Sequence, residues 1–180
     1  SPVQINKVID ALRHHVVPLI KDLNGNHVIQ RCLQKMTYQD KQFIYDAVAP
    51  RCVDVATHKH GCCVLQRCID HASEDQKWML VKEVINHALE LVQNAFGNYV
   101  VQYILDLGND EANSQIIAKF IGHITGLSQN KFSSNVIEKC LRISNSMSRA
   151  ALLQDICCAD LISVLIQDNY GNYVLQTALG

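Results

Sequence analysis

The sequence predicts an all-α chain built as a helical-repeat solenoid, with three helices in each repeat of about 36 residues. Three observations predict it. Five segments line up along the chain: Asn24 to Leu33 (NGNHVIQRCL), His60 to Ile69 (HGCCVLQRCI), Phe96 to Leu105 (FGNYVVQYIL), Phe132 to Leu141 (FSSNVIEKCL) and Tyr170 to Leu179 (YGNYVLQTAL), at offsets of 36, 36, 36 and 38 residues. Hydrophobic residues make up 48% of the 180, while there are only 8 glycines and 3 prolines, too few turn formers for a β-sandwich or barrel. Ahead of each segment, apolar residues recur at i, i+4 and i+7, the signature of an amphipathic helix.

The period divides the chain into repeats at about 1–36, 37–72, 73–108, 109–146 and 147–180. The two additional residues of the fourth fall in the polar stretch from Ser144 to Ser148. Each repeat reads as a short helix, a longer helix and a third helix carrying the segment. In the apolar pattern Leu12, Val48, Val84, Phe120 and Cys158 align, followed by Val16, Cys52, Ala88, Ile124 and Ile162, then by Leu19, Val55, Leu91, Leu127 and Leu165. This predicts one amphipathic helix packed under the segment helix. Pro18 and Pro50 are expected to start or bend a helix, because a proline inside one removes a backbone donor.

Within the segments Val28, Val64, Val100, Val136 and Val174 never vary, and an aliphatic residue always follows. Four positions after the valine stand Cys32, Cys68, Ile104, Cys140 and Ala178, on the buried face of a helix. Three of the eight cysteines thus share a slot with Ile and Ala, and core packing accounts for them. With no C-x-x-C pair and no visible secretory signal, free thiols in a reducing compartment are expected. Gly25, Gly61, Gly97 and Gly171, with Ser133 in the same slot, stand near the start of the segment helix, where a small side chain permits close approach.

The informative residues vary between repeats. At i, i+1 and i+4 the segment helices read Asn26-His27-Gln30, Cys62-Cys63-Gln66, Asn98-Tyr99-Gln102, Ser134-Asn135-Glu138 and Asn172-Tyr173-Gln176. Positions i and i+4 lie one turn apart on one face. A row of amide pairs can hydrogen-bond the edges of successive flat bases, with the residue at i+1 stacking between them. Uracil offers two carbonyl acceptors flanking an N–H. Guanine offers two adjacent donors, which only a carboxylate accepts together, and Glu138 is the sole acid in its slot. Adenine offers an amino donor beside a ring acceptor, which one Gln amide satisfies, and the small Cys62 leaves room for a purine. This is how single-stranded RNA is read by modular repeats, one base each. Arg31, Arg67 and Lys139 follow the third slot and could form a local basic strip on the phosphates, even though the net charge of −1 excludes a uniformly basic binder.

The same residues admit other readings. The polar row could be a solvated face in a protein-binding solenoid of the armadillo or HEAT type. His58, His60, Cys62 and Cys63 invite a metal site, but the repeat register puts His60 where Phe96, Phe132 and Tyr170 stand elsewhere, so packing is expected and no metal. No role is expected for Cys157 and Cys158. No phosphate loop or nucleophile motif occurs, His14-His15 is a dyad in sequence only, and Asp106 and Asp110 read as surface residues; no catalytic residue and no cofactor are expected. No apolar run approaches the roughly 18 residues of a membrane helix.

The segments NGNHVIQ, HGCCVLQ, FGNYVVQ, FSSNVIEK and YGNYVLQ resemble the recognition helices of the Pumilio (PUF) family of RNA-binding proteins, in order and over essentially the whole chain. They resemble the last five of the eight repeats usual in that family, with the first three repeats and the terminal caps absent. The resemblance implies a curved right-handed superhelix with RNA antiparallel to the protein on its concave face. Carried over slot by slot, Asn172 and Gln176 read U, Ser134 and Glu138 read G, Asn98 and Gln102 read U, Cys62 and Gln66 read A, and Asn26 and Gln30 read U. The implied site is 5′-UGUAU-3′, with stacking by Tyr173, Asn135, Tyr99, Cys63 and His27. Cys63 departs from the arginine frequent in that slot, which implies weaker stacking around the adenine. A cytoplasmic role is also implied, in which the protein binds messenger-RNA 3′ untranslated regions and recruits repression or decay proteins. The other possibility within the same superfamily is a sequence-tolerant ribosome-assembly factor.

Overall fold

The computed structural model describes residues 2–157 and 159–180. Among the described residues the chain is helical throughout, without strands, and divides into two compact units, residues 1–86 and 87–180. The first unit holds α1 (Pro2–Leu12), α2 (Val16–Lys21), α3 (Gly25–Lys35), α4 (Gln42–Val48), a 3₁₀ turn (Ala49–Arg51), α5 (Cys52–Ala56), α6 (Gly61–Asp70) and α7 (Glu74–Asn86). The second holds α8 (Ala88–Leu91), α9 (Gly97–Asp106), α10 (Asp110–Phe120), α11 (Ile124–Ser128), α12 (Ser133–Ile143), α13 (Ser146–Ile156), α14 (Ala159–Gln167) and α15 (Gly171–Leu179). The segment helices are α3, α6, α9, α12 and α15. In the first unit α3 packs on α6; in the second α9 packs on α12 and α12 on α15.

One expectation is corrected. The i, i+4, i+7 pattern predicted a single helix, with a short one before it, but the chain breaks inside the pattern. The order is a long helix, a short helix and the segment helix. His15, Arg51, His87 and His123 sit 36 residues apart at this break, each with φ between −107° and −122° and ψ between 0° and 23°. The break is invisible in the apolar pattern because the residues on its two sides still face one core: Phe120 and Ile124, on either side of His123, are both fully buried. Pro18 lies in the first turn of α2 and Pro50 in the 3₁₀ turn, where no helical donor is lost. Cys158, assigned to the same apolar pattern, lies outside the described residues.

The segment helices bury the expected face. Val64, Val100, Val136 and Val174 are fully buried, as are Cys68, Ile104 and Cys140. Burial pushes the thiols of Cys68 and Cys140 up to about 12, so they stay protonated and inert. Val28 differs, being 46% exposed. Val64 has α3 beside its helix, and Val136 and Val174 have α9 and α12, whereas among the described residues α3 has a segment helix on one side only, α6. Among the described residues no helix is long and apolar enough to cross a membrane.

Candidate nucleic-acid interface

Each segment helix is fixed at its start by two devices. The first is the small residue at its first position. A Cβ on Gly61 would stand 2.1 Å from the Val55 carbonyl oxygen, and one on Gly97 would stand 2.7 Å from that of Leu91. The backbones therefore touch, and the glycines serve close approach. In α12 the same slot holds Ser133, fully buried, whose hydroxyl donates to the Leu127 carbonyl at 2.6 Å. An obstacle in four repeats becomes a hydrogen bond in the fifth.

The second device is a cap three residues before the glycine slot. Asp22 Oδ1 accepts from the N–H groups of Asn24 and Gly25 at 2.9 and 2.6 Å, and Asp168 Oδ1 from those of Tyr170 and Gly171, both at 2.8 Å. Asn94 and Asn130 do the same through their amide oxygens, and His58 through Nδ1. These contacts satisfy donors that an N-terminus leaves unpaired. They hold Asp22 and Asp168 below the usual carboxylate range, the N–H groups of Gly25 and Gly171 contributing most. Burial keeps His58 below the usual imidazole value. His58 thus has a structural use, and among the described residues no group of three or more His, Cys, Asp or Glu stands close enough to hold a metal.

On this scaffold the amide pairs share one geometry. Asn26 Nδ2 donates to the Asp22 and Leu23 carbonyls at 2.8 Å, Asn98 Nδ2 to those of Asn94 and Ala95, and Asn172 Nδ2 to that of Asp168. Their Oδ1 atoms accept from Gln30, Gln102 and Gln176 at 2.8, 3.0 and 3.0 Å. The asparagines therefore face inward, Asn26 and Asn98 being buried. Each glutamine is left with Oε1 and one N–H, an acceptor beside a donor in one plane.

Two repeats depart from this. In α6 the buried Cys62 replaces the asparagine, its Sγ 3.5 Å from the Lys59 carbonyl and 3.9 Å from Cys63 Sγ, and Gln66 has no anchor of the Asn kind. Burial first, then the neighbouring Cys63, pushes the Cys62 thiol up to about 11. In α12 Ser134 is buried and Glu138 Oε2 accepts from Thr177 Oγ1 of α15 at 3.0 Å and from Arg142 Nη1 at 3.3 Å. The second-slot residues all point outward: His27, Cys63 and Asn135 are exposed, and Tyr99 and Tyr173 are 57% and 56% exposed. Of the three cations, Arg67 pairs with Asp70 and Lys139 with Asp106, whereas exposed Arg31 has no carboxylate partner among the described residues.

A third recurring device ties the end of the segment helix. Lys41 Nζ, Asn113 Nδ2 and Arg149 Nη1 each donate to the carbonyl eight residues back, at Leu33, Leu105 and Leu141. In the second repeat Tyr45 Oη donates to the Cys68 carbonyl at 2.8 Å instead. Neither this slot nor the cap slot was singled out from the sequence, although both recur with the period and an aligned column of Asp22, His58, Asn94, Asn130 and Asp168 contains the signal.

Packed helices that each carry a buried or half-buried first-slot residue beneath outward second- and third-slot side chains, recurring with a fixed period, define a modular helical-repeat protein. The family model for the Pumilio-family RNA binding repeat matches residues 15–49, 51–85, 87–121, 123–157 and 162–180. The chain belongs to this family, which is one of binding repeats and not of enzymes. The same period is cut there at a different phase, beginning at the short helix. Among solved structures, the chain is similar to the Puf4 RNA binding domain bound to an HO endonuclease RNA 3′ UTR recognition sequence, at 42% identity and a TM-score of 0.89, covering 99% of this chain and 57% of that one. It is also similar to the RNA-binding domain of yeast Puf5p bound to SMX2 RNA, at 32% identity and a TM-score of 0.84, covering 99% and 56%. A Pumilio domain-containing protein of Schizosaccharomyces pombe is 56% identical over 59 residues, which are 33% of this chain and 9% of that protein. The chain thus spans a little over half of the RNA-binding domains it resembles.

Proposed function

We propose that the chain is a sequence-specific reader of single-stranded RNA, one base per repeat, with a 5′-UGUAU-3′ core bound antiparallel to the protein. The observation that carries this is the outward Gln amide repeated on a uniform helix and replaced once by a carboxylate, Glu138. Each Gln amide accepts from the N3–H of uracil and donates to a neighbouring carbonyl. The same amide also matches the adenine edge, so the first slot decides between them: Asn26, Asn98 and Asn172 fill the space and fix the amide, while Cys62 leaves room for the purine beside Gln66. Ser134 and Glu138 accept the paired donors of guanine. His27, Cys63, Tyr99, Asn135 and Tyr173 stack between bases, and Arg31, with Arg67 and Lys139 if their carboxylates release them, meets phosphate.

Relatives bound to 3′ UTR sequences support messenger-RNA 3′ untranslated regions as the target, and post-transcriptional repression or decay in the cytoplasm as the role. The five repeats act as part of a Pumilio homology domain. The test is fluorescence anisotropy with a short RNA containing UGUAU beside the same RNA with its G changed to U. A marked preference for G supports the reading. Equal binding to both removes the code but leaves an RNA-binding solenoid. Binding to neither, by a chain that circular dichroism shows to be helical, favours a protein scaffold.

A further inference from the structure

We infer that Thr177 is a positioning residue for guanine selection, acting on Glu138 from the neighbouring repeat. This rests on the reading of Glu138 as the guanine acceptor. Guanine presents two parallel N–H donors, so the carboxylate must offer one lone pair from each oxygen in a fixed plane. A glutamate has three side-chain torsions, and ordering them opposes binding. Thr177 removes part of that freedom beforehand: its Oγ1 donates to Glu138 Oε2 at 3.0 Å across from α15 to α12. The donor is the hydroxyl alone, carried on a short side chain of a packed helix. A hydroxyl gives a single hydrogen bond, which leaves Oε1 and a second lone pair of Oε2 for the base. The other partner, Arg142, is 3.3 Å away with its side chain 58% exposed, an ion pair that contributes little and can swing aside.

The slot itself shows why a hydroxyl matters. The residue after the third reading position is Arg31, Arg67, Tyr103, Lys139 and Thr177 in turn. Arg67 and Lys139 both hold carboxylates, Asp70 and Asp106. A basic side chain at 177 would hold Glu138 in the same way and compete with the guanine edge for both oxygens. Thr177 thus places a donor beside Glu138 without bringing a competing charge.

The experiment measures binding of the chain to RNA with G and with U at the second base of UGUAU, for the unmodified protein and for Thr177→Val, Thr177→Ser and Thr177→Lys. Thr177→Val is expected to lower the G-over-U ratio by roughly 3- to 10-fold, the value of one hydrogen bond. Thr177→Ser should restore the ratio, and Thr177→Lys should lower it further than valine does. A purely structural role would weaken binding to both RNAs equally and leave the ratio unmoved, which overturns the inference. If the unmodified chain prefers G and Thr177→Val keeps the full preference, Thr177 alone is rejected. If the unmodified chain shows no G preference, the reading of Glu138 fails and the inference fails with it.

Discussion

Helices α9 and α12 are neighbours built on one plan and differ in what they present. Both bury the same valine and the residue after it, and both are capped by an asparagine oxygen on two backbone N–H groups. In α9 the first reading residue, Asn98, is bonded to its own helix start and to Gln102. In α12 that inner anchor is gone, and the third-slot Glu138 is held from the neighbouring helix by Thr177 and, one turn along its own helix, by the exposed Arg142. A neutral amide can be oriented within its own helix. A carboxylate accepts but cannot donate, so its orientation must come from donors elsewhere. The chemistry of the third slot and the place from which its side chain is steadied therefore change together.

The largest expected effect comes from exchanging the two sets. Ser134→Asn with Glu138→Gln gives α12 the polar residues of α9. The preference at that base should swing from G to U by roughly 10- to 100-fold, the discrimination a bidentate pair provides. Anisotropy with the two RNAs reads it, and retained G preference rejects the slot assignment. Next come the helix starts. Gly97→Ala drives a Cβ against the Leu91 carbonyl and should destabilise the fold by about 1–3 kcal/mol in a denaturant titration. Ser133→Ala loses only the bond to Leu127 and should cost about 1 kcal/mol. Equal costs would mean that the close approach is relieved elsewhere.

A smaller effect is expected at the stacking position. Tyr99→Ala should weaken binding by about 1 kcal/mol without changing base preference, because stacking tolerates any base. Asn135→Ala in α12 should weaken it less, since an amide offers a smaller plane. A changed preference with unchanged affinity would remove the stacking role from Tyr99. The smallest effect is in acid. Asp168 caps α15 as a carboxylate whose folded pKa is lowered, so its contribution is complete above the ordinary aspartate value and is lost as pH falls through the lowered one. The amide caps of α9 and α12 do not titrate. Asp168→Asn should flatten the acid side of the stability curve while leaving neutral pH nearly unchanged, as thermal melts across pH would show.

Much of this was legible in residues. The spacing of the five segments revealed the repeat, and the glycine slot announced the close approach that the Leu91 and Val55 carbonyls confirm. The outward setting of Tyr99 and Tyr173 followed from helical spacing alone. Other features were hidden for physical reasons. The break at His123 leaves no trace in the apolar pattern, because Phe120 and Ile124 stay on one core face across it. Asn98 reads as a base contact in sequence, and only coordinates show both of its N–H groups held by Asn94 and Ala95. Val28 matches its four counterparts letter for letter and differs in exposure, because among the described residues α3 has a segment helix on one side only. The meeting of Glu138 and Thr177 spans 39 positions and depends on how two helices stack.

The inward asparagine carries one more consequence. By bonding the carbonyls just ahead of its helix, Asn26, Asn98 or Asn172 acts as a second clasp on the helix start, which Cys62 and Ser134 do not supply through an amide. In α12 the neighbouring Asn135 supplies a comparable bond, its Nδ2 donating to the Lys131 carbonyl at 3.2 Å, so among the described segment helices it is α6 that lacks an amide clasp at its start. Amide hydrogen exchange should be slower at the starts of α3 and α9 than at that of α6. Over evolutionary drift, replacing the first-slot asparagine is then also a small loss of local order, so which residues that slot can hold is weighted by the helix's own mechanics before selection on any ligand begins.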